Sequence, residues 1–267
     1  MEETRLKDAL YKAVTDIVKS GQTTTSPAPS PTPTPTPTPS PTPTPTGSYT
    51  KPSQLTGLNW TVMLPTGSQG DPDNLYATKA EVDTNGMKVF RLNAGKNGVV
   101  FTAPIDGFHS ANSQYARSEL REMKDTNWTK GAWSNKTGTH TMELTQSIDK
   151  IPVVKPHLCA AQIHDGADDV LQIRLEGTKL MAAHTDGNVK LSLDDNYKLG
   201  TKYSVKIVAA NSKIVVTYNG SKTVELPLSG TGWYFKTGAY VQSNIEKGDK
   251  AGTVGEVTIY SVKVTHS

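Results

Sequence analysis

Ile214-Val215-Val216-Thr217-Tyr218-Asn219-Gly220-Ser221-Lys222-Thr223-Val224-Glu225-Leu226 reads as two short strands folded back on each other. β-branched and aromatic residues suit a pleated strand, and Asn-Gly supplies the positive φ angles that a two-residue hairpin turn requires. Working outward, runs of the same kind recur between turn signals from residue 49 to the C-terminus. Leu171, Ile173 and Leu175 share a face opposite Gln172, Arg174 and Glu176; Tyr203, Val205 and Ile207 form another run; Val257, Ile259 and the 261–265 stretch close the chain. Such alternation turns one face of each strand to a core. No long helical period interrupts it, so residues 49–267 are expected to form one all-β domain, a two-sheet β-sandwich (jelly roll) with a concave groove.

Two other segments precede that domain. Residues 1–21 are predicted to form a short amphipathic helix, with Leu6, Leu10, Ala13, Val14, Ile17 and Val18 at helical spacing and Gly21 at its end. A lone helix this short is marginal in water, so residues 1–20 either find a partner, by self-association or docking, or form a frayed tail. Residues 22–48 are a Pro/Thr-rich linker with nothing to bury. In polyproline II, at about 3.1 Å per residue, its roughly 20 Pro-rich positions would hold the ends about 60 Å apart.

The net charge of the 267 residues is only +3, which gives no support to a nucleic-acid partner. Up to Ser26, Arg5, Lys7, Lys12 and Lys19 balance Glu2, Glu3, Asp8 and Asp16. The positive excess therefore belongs to the C-terminal domain, where a local basic groove counts for more than the total. No stretch approaches the roughly 20 apolar residues of a membrane helix. Acidic residues follow Met1 with no apolar core after them, so no signal peptide is read; either the protein stays where it is made or a native leader has been replaced, and an extracellular, secreted protein in its native context is the expectation. The single cysteine, Cys159, lies in the apolar tract from Val153 to Ala161 and is expected to be buried and inert. Asp165, Asp168 and Asp169 match no calcium-loop spacing and read as a solvated loop. His109, His140, His157, His184 and His266 show no ligand spacing, so no metal is expected.

Three segments concentrate polar residues on one strand face each. Tyr115, Arg117, Glu119 and Arg121 alternate in the first, Gln162 and His164 in the second, and Tyr234, Lys236, Tyr240 and Gln242 in the third, with Gly238 leaving a gap. If those faces meet, they build a cationic groove that suits a polyanion and can move a proton. Asn112 and Ser113, just before the first segment, are expected to line it.

These segments, Arg117-Ser118-Glu119-Leu120-Arg121-Glu122-Met123, Gln162-Ile163-His164 and Tyr234-Phe235-Lys236-Thr237-Gly238-Ala239-Tyr240-Val241-Gln242, occur in that order. They resemble the signature regions of alginate lyases of polysaccharide lyase family 7 and of the similar family 18. The resemblance spans the chain from about residue 50 to its end and leaves out the helix and linker. Thr237 stands where the family usually has Ala, and Val241 where Asn is frequent; both fall on the strand face away from the groove.

The resemblance implies endo-acting β-elimination on alginate, with no cofactor. Arg117 and Gln162 would neutralise the uronate carboxylate, while His164 and Tyr240 would take the C5 proton and protonate the departing C4 oxygen. Arg121, Glu119, Lys236, Gln242, Tyr234 and Asn112 would bind substrate or shape the groove, Glu119 chiefly by orienting an arginine. Ile163 within Gln-x-His implies guluronate-containing or mixed substrate. Two rival readings remain. A glycoside hydrolase on the same fold needs two facing carboxylates, and Glu119 and Glu122 point to opposite strand faces. A non-catalytic carbohydrate-binding module needs no acid and base in one place, which His164 with Tyr240 supplies.

Overall fold

A computed structural model describes residues 48–57, 59–80, 88–125, 127, 129–184 and 188–267. The expected N-terminal helix and the Pro/Thr linker up to residue 47 lie outside the described residues. The remainder is the sandwich that the alternation predicts. One sheet has eight antiparallel strands in the order β10-β9-β8-β7-β14-β5-β1-β2. These are β1 (Trp60–Ser68), β2 (Asp71–Tyr76), β5 (Arg117–Glu122), β7 (His157–His164), β8 (Asp169–Glu176), β9 (Lys179–His184), β10 (Val189–Asp194) and β14 (Tyr234–Val241). The second sheet has seven, ordered β13-β12-β11-β6-β15-β4-β3. It comprises β3 (Phe90–Leu92), β4 (Val99–Pro104), β6 (Thr139–Lys150), β11 (Tyr203–Ala210), β12 (Lys213–Tyr218), β13 (Lys222–Leu226) and β15 (Val254–His266).

The hairpin that decides the fold forms as read. β12 pairs with β13 from Tyr218 and Lys222 onward, across the three residues Asn219, Gly220 and Ser221; the φ angles of 47° and 68° at Asn219 and Gly220 fit a turn with both central residues left-handed, closed by the Ser221 N–H donating to the Tyr218 carbonyl. Between the sheets, Leu120, Leu158, Ile163, Phe235 and Val241 of the first pack with Phe101, Met142, Ile207, Val216 and Ile259 of the second, all fully buried. Burying large apolar side chains contributes about 1.5–3 kcal/mol each and is what holds the two layers together.

Helix is confined to two four-residue turns, Ser53–Thr56 and Ala77–Ala80, and one short 3-10 turn, Ile245–Lys247, among the described residues. The apolar tract from Val153 is not wholly buried: Val153 and Val154 are 77% and 61% exposed. They sit in the loop before β7, where the Asp249 carboxylate accepts hydrogen bonds from the backbone N–H groups of Val153, Val154 and Lys155. That anchor turns the chain before it can enter the core. Leu158 to Ala161 are buried, and burial pushes the Cys159 thiol well above its ordinary pKa.

Candidate active site

Strands β7, β14 and β5 are consecutive in the first sheet, and their register sets the site. Tyr240 lies opposite Arg117 and Lys236 opposite Arg121 across one strand boundary. Across the other, Lys236 lies opposite Gln162 and Tyr234 opposite His164. The three polar faces therefore form one continuous surface. Gly238 permits this approach: at its φ of 143°, a Cβ would fall 2.5 Å from the Ser118 carbonyl oxygen and 2.8 Å from the Glu119 Cα. Here it is a neighbouring strand that comes close.

The surface is the floor of a groove of about 840 Å³. Arg117, Gln162, His164 and Tyr240 all line it, as do Arg121, Glu119, Lys236, Gln242, Tyr234 and Asn112. Gln172 and Arg174 of β8, Met63 of β1 and Asn74 of β2 extend it to both sides. Sequence reasoning had seen Gln172 and Arg174 only as the polar side of a strand. Which polar faces join a groove depends on strand order, which alternation alone does not reveal. Arg174 Nη1 donates to the side-chain oxygens of Gln172 and Gln242, at 3.0 and 3.3 Å, and so ties β8 to the end of β14.

Glu119 is the electrostatic centre of the floor and has no exposed side-chain surface. Its carboxylate meets Lys236 Nζ at 2.6 Å and Arg117 Nη1 at 3.4 Å, and accepts from Gln162 Nε2. Burial alone would raise its pKa, but Lys236, Arg117 and these hydrogen bonds outweigh burial and hold it below the ordinary carboxylate value. Lys236 responds in the opposite sense. Burial and the nearby Arg117 charge outweigh the pull of Glu119 and bring its pKa down to about 8.

Arg117 lies with its guanidinium carbon 3.7 Å from the centre of the Tyr240 ring. Its Nη2 donates to Ser113 Oγ at 3.3 Å, whereas its buried Nε has no partner. Gln162 gives one amide hydrogen to Glu119 and has a second to offer. Two donor groups thus have unused capacity at the floor of a cationic groove.

His164 Nδ1 lies 2.6 Å from the Asp165 carbonyl oxygen. A carbonyl only accepts, so the ring hydrogen belongs on Nδ1, and Tyr234 Oη at 3.1 Å shares it as a second acceptor. Nε2 is then the unprotonated nitrogen. Burial, followed by the Lys236 charge, lowers the His164 pKa against the pull of the Asp165 carbonyl and Glu119. The imidazole is therefore neutral at neutral pH and able to accept a proton. Arg121 covers the Tyr234 ring at 3.8 Å, yet burial dominates there and raises the Tyr234 phenol above its ordinary value. Asp165 itself closes the following turn, accepting from the N–H groups of Ala167 and Asp168.

Away from the groove, Glu122 faces the opposite side of β5. It accepts from Trp133 Nε1 and the Phe235 N–H and contacts His266 Nε2. It is thus unavailable as a second carboxylate across a sugar from Glu119. The same cluster brings His140 Nδ1 to 2.8 Å from His266 Nδ1. Nothing in the sequence spacing signals that pairing, which arises because β6 and β15 are neighbours over their full length.

Comparison with known proteins points one way. The profile of a family described as alginate lyase matches residues 55–266. Among solved structures, an alginate lyase named AlgAT5 of polysaccharide lyase family 7 is 42% identical with a TM-score of 0.75, covering 81% of this chain and 99% of its own. An alginate lyase from Corynebacterium sp. is 40% identical with a TM-score of 0.77, covering 81% and 98%. A family 7 alginate lyase carrying one His-to-Asn and one Tyr-to-Phe substitution, in complex with the substrate GGMG, is 26% identical with a TM-score of 0.66, covering 78% and 93%. No curated protein sequence matches the chain.

Proposed function

The chain belongs to the alginate lyases of polysaccharide lyase family 7, and from that premise we propose that Arg117, Gln162, His164 and Tyr240 carry out β-elimination on guluronate-containing alginate from within the polymer. The activity itself, cleavage of alginate by a lyase, follows from the family. The residue roles rest on one observation: a neutral imidazole, a tyrosine hydroxyl, an arginine and a side-chain amide line the same groove.

The C5 proton of a uronate is hard to remove while the adjacent carboxylate is negative. Arg117 and Gln162 take that carboxylate and the enolate-like charge that develops on it. One of His164 and Tyr240 removes the C5 proton, and its electron pair becomes the C4–C5 double bond. The C4–O bond breaks, and the departing oxygen receives a proton from the acid partner. No water is consumed. Mannuronate and guluronate present C5–H to opposite faces, so either residue can be the base, depending on the sugar. The neighbour solved with GGMG carries substitutions at one His and one Tyr, the same two residue types that this groove offers. Endo action is supported by length: the lining crosses six adjacent strands from β8 to β2, about 24 Å at ordinary strand spacing, enough for several sugars. Ile163 and the family tendency at that position support the guluronate preference.

The test is ultraviolet absorbance at the unsaturated product, on polymannuronate and polyguluronate separately. Rising absorbance, faster on guluronate-containing polymer, with a rapid fall in viscosity is expected. His164→Ala should lose about 10²- to 10⁴-fold in turnover while keeping its affinity for alginate. A wild-type protein that binds alginate but yields no absorbing product would be a binding module instead.

A further inference from the structure

Ser113 Oγ lies 3.0 Å from Tyr240 Oη and accepts from Arg117 Nη2 at 3.3 Å, so one hydroxyl touches both a proposed proton carrier and a proposed carboxylate clamp. It also accepts from the Tyr115 N–H at 3.2 Å and stands 3.1 Å from the Tyr115 carbonyl oxygen, to which it can donate. The Ser113 backbone is held in turn by its N–H bond to Ser110 at 2.9 Å. A hydroxyl has a single hydrogen, and here two acceptors compete for it. While Tyr240 is a neutral phenol, either hydroxyl of the pair can be the donor, so the serine hydrogen is free to rest on the Tyr115 carbonyl. Once Tyr240 has lost its proton, that arrangement fails, because the phenolate can only accept. Rotation about the Cβ–Oγ bond then swings the serine hydrogen from the carbonyl to the phenolate.

We infer that Ser113 is a positioning residue for the elimination, holding the Tyr240 hydroxyl toward the sugar and becoming its donor when Tyr240 is ionised. No covalent bond to Ser113 forms or breaks. The catalytic proton moves between substrate and Tyr240, and Ser113 only changes which oxygen it donates to. Arg117, touching the same oxygen and lying over the Tyr240 ring, couples the carboxylate clamp to this switch. The geometry resembles a cradle prepared for a charge that appears only during the reaction, which is where preorganised donors help most. The inference rests on Tyr240 being a proton-transfer group.

The experiment compares wild-type full-length protein with Ser113→Ala, Ser113→Thr and Tyr240→Phe on polyguluronate, across pH. Without the serine donor the phenolate is harder to form. Whichever role Tyr240 has, the limb of the kcat/KM profile that it governs should move to higher pH in Ser113→Ala, by about one unit or more. kcat should fall about tenfold or more, with KM changed less than about twofold, because the loss is felt in the transition state. Ser113→Thr keeps the hydroxyl and should restore both. Melting temperature is recorded for each variant, so an unfolded Ser113→Ala is recognised and the threonine variant, with its intact profile, carries the comparison. An unmoved pH limb in folded Ser113→Ala, or a kcat within twofold of wild type, overturns the role of Ser113 alone. Full activity in Tyr240→Phe overturns the assignment of Tyr240 and this inference with it.

Discussion

Among the lysine–glutamate pairs of the described residues, one on the outer face of each sheet makes a contrast, and the two do opposite things. On the seven-stranded sheet, Lys206 Nζ meets Glu143 Oε1 at 2.9 Å, with 52% and 45% of the side chains exposed. On the eight-stranded sheet, Lys236 Nζ meets Glu119 Oε2 at 2.6 Å, with 8% and 0% exposed. Chemistry and distance are nearly the same, but the solvent is not. Water and salt screen the first pair, and such pairs contribute about 0–1 kcal/mol. The second is desolvated within a set of cations and hydrogen-bond donors, where each charge depends on the others being present. A strand face that looks like an ordinary charged surface thus becomes a site once its sheet encloses it.

Removing the carboxylate from each pair should separate the two most clearly. Glu119→Ala leaves Lys236 and Arg117 close together with no buried counter-charge, and should cost about 3–5 kcal/mol in urea unfolding together with most of the activity. A smaller loss would mean that solvent reaches the groove floor far more than the burial of Glu119 allows.

The next effect tests whether the close approach of β14 and β5 makes the enclosure. Gly238→Ala must place a methyl group against the Ser118 carbonyl at a backbone angle that side chains rarely adopt. A loss of about 2–3 kcal/mol is expected, with turnover falling because Tyr240 and Lys236 flank the displaced residue. Circular dichroism melts and lyase rates on the same preparation provide the check.

A third measurement sharpens the contrast through pH. Lys236 has a pKa of about 8 in the folded protein, against an ordinary 10.5. Below about 8 it is charged and helps to balance Glu119; above that, Arg117 alone faces the carboxylate. Wild-type kcat/KM should therefore decline as pH rises through about 8, whereas Lys236→Arg, which stays charged, should lack that decline relative to its own neutral rate. The stability effect has a definite sign. Between pH 8 and 10.5 the unfolded chain holds a proton that the native lysine has released, so this group makes unfolding free energy rise with pH across that window. Lys236→Arg should remove the rise. Superimposable profiles for the two proteins would show that the lysine charge is immaterial.

The smallest effect belongs to the exposed pair. Lys206→Met should change stability by no more than about 1 kcal/mol, and 0.5 M salt should erase most of the difference. A larger change would place the two faces in the same energetic class and end the comparison.

The sequence was legible wherever a rule is local. Asn219-Gly220 demanded its hairpin, alternation in 171–176 separated the core side from the polar side, and each signature segment showed which of its residues share a face. The opposite orientations of Glu119 and Glu122 were legible for the same reason, since side-chain direction along a strand follows residue parity. The exposure of Val153 and Val154 was not legible, because an aspartate nearly a hundred residues later captures their N–H groups. The His140–His266 contact and the entry of Gln172 and Arg174 into the groove depend likewise on which strands become neighbours.

Composition and pattern by themselves determined that residues 49–267 are all-β, which side chains face away from the core, and which chemistry those side chains could perform. Only the tertiary structure decided that β7, β14 and β5 lie side by side, that Glu119 is sealed among their groove-side side chains, and that Ser113 reaches Tyr240. Local conformational preference follows from covalent structure and near neighbours. Desolvation and long-range register exist only after distant segments have packed, and those two quantities turn a row of polar residues into a site.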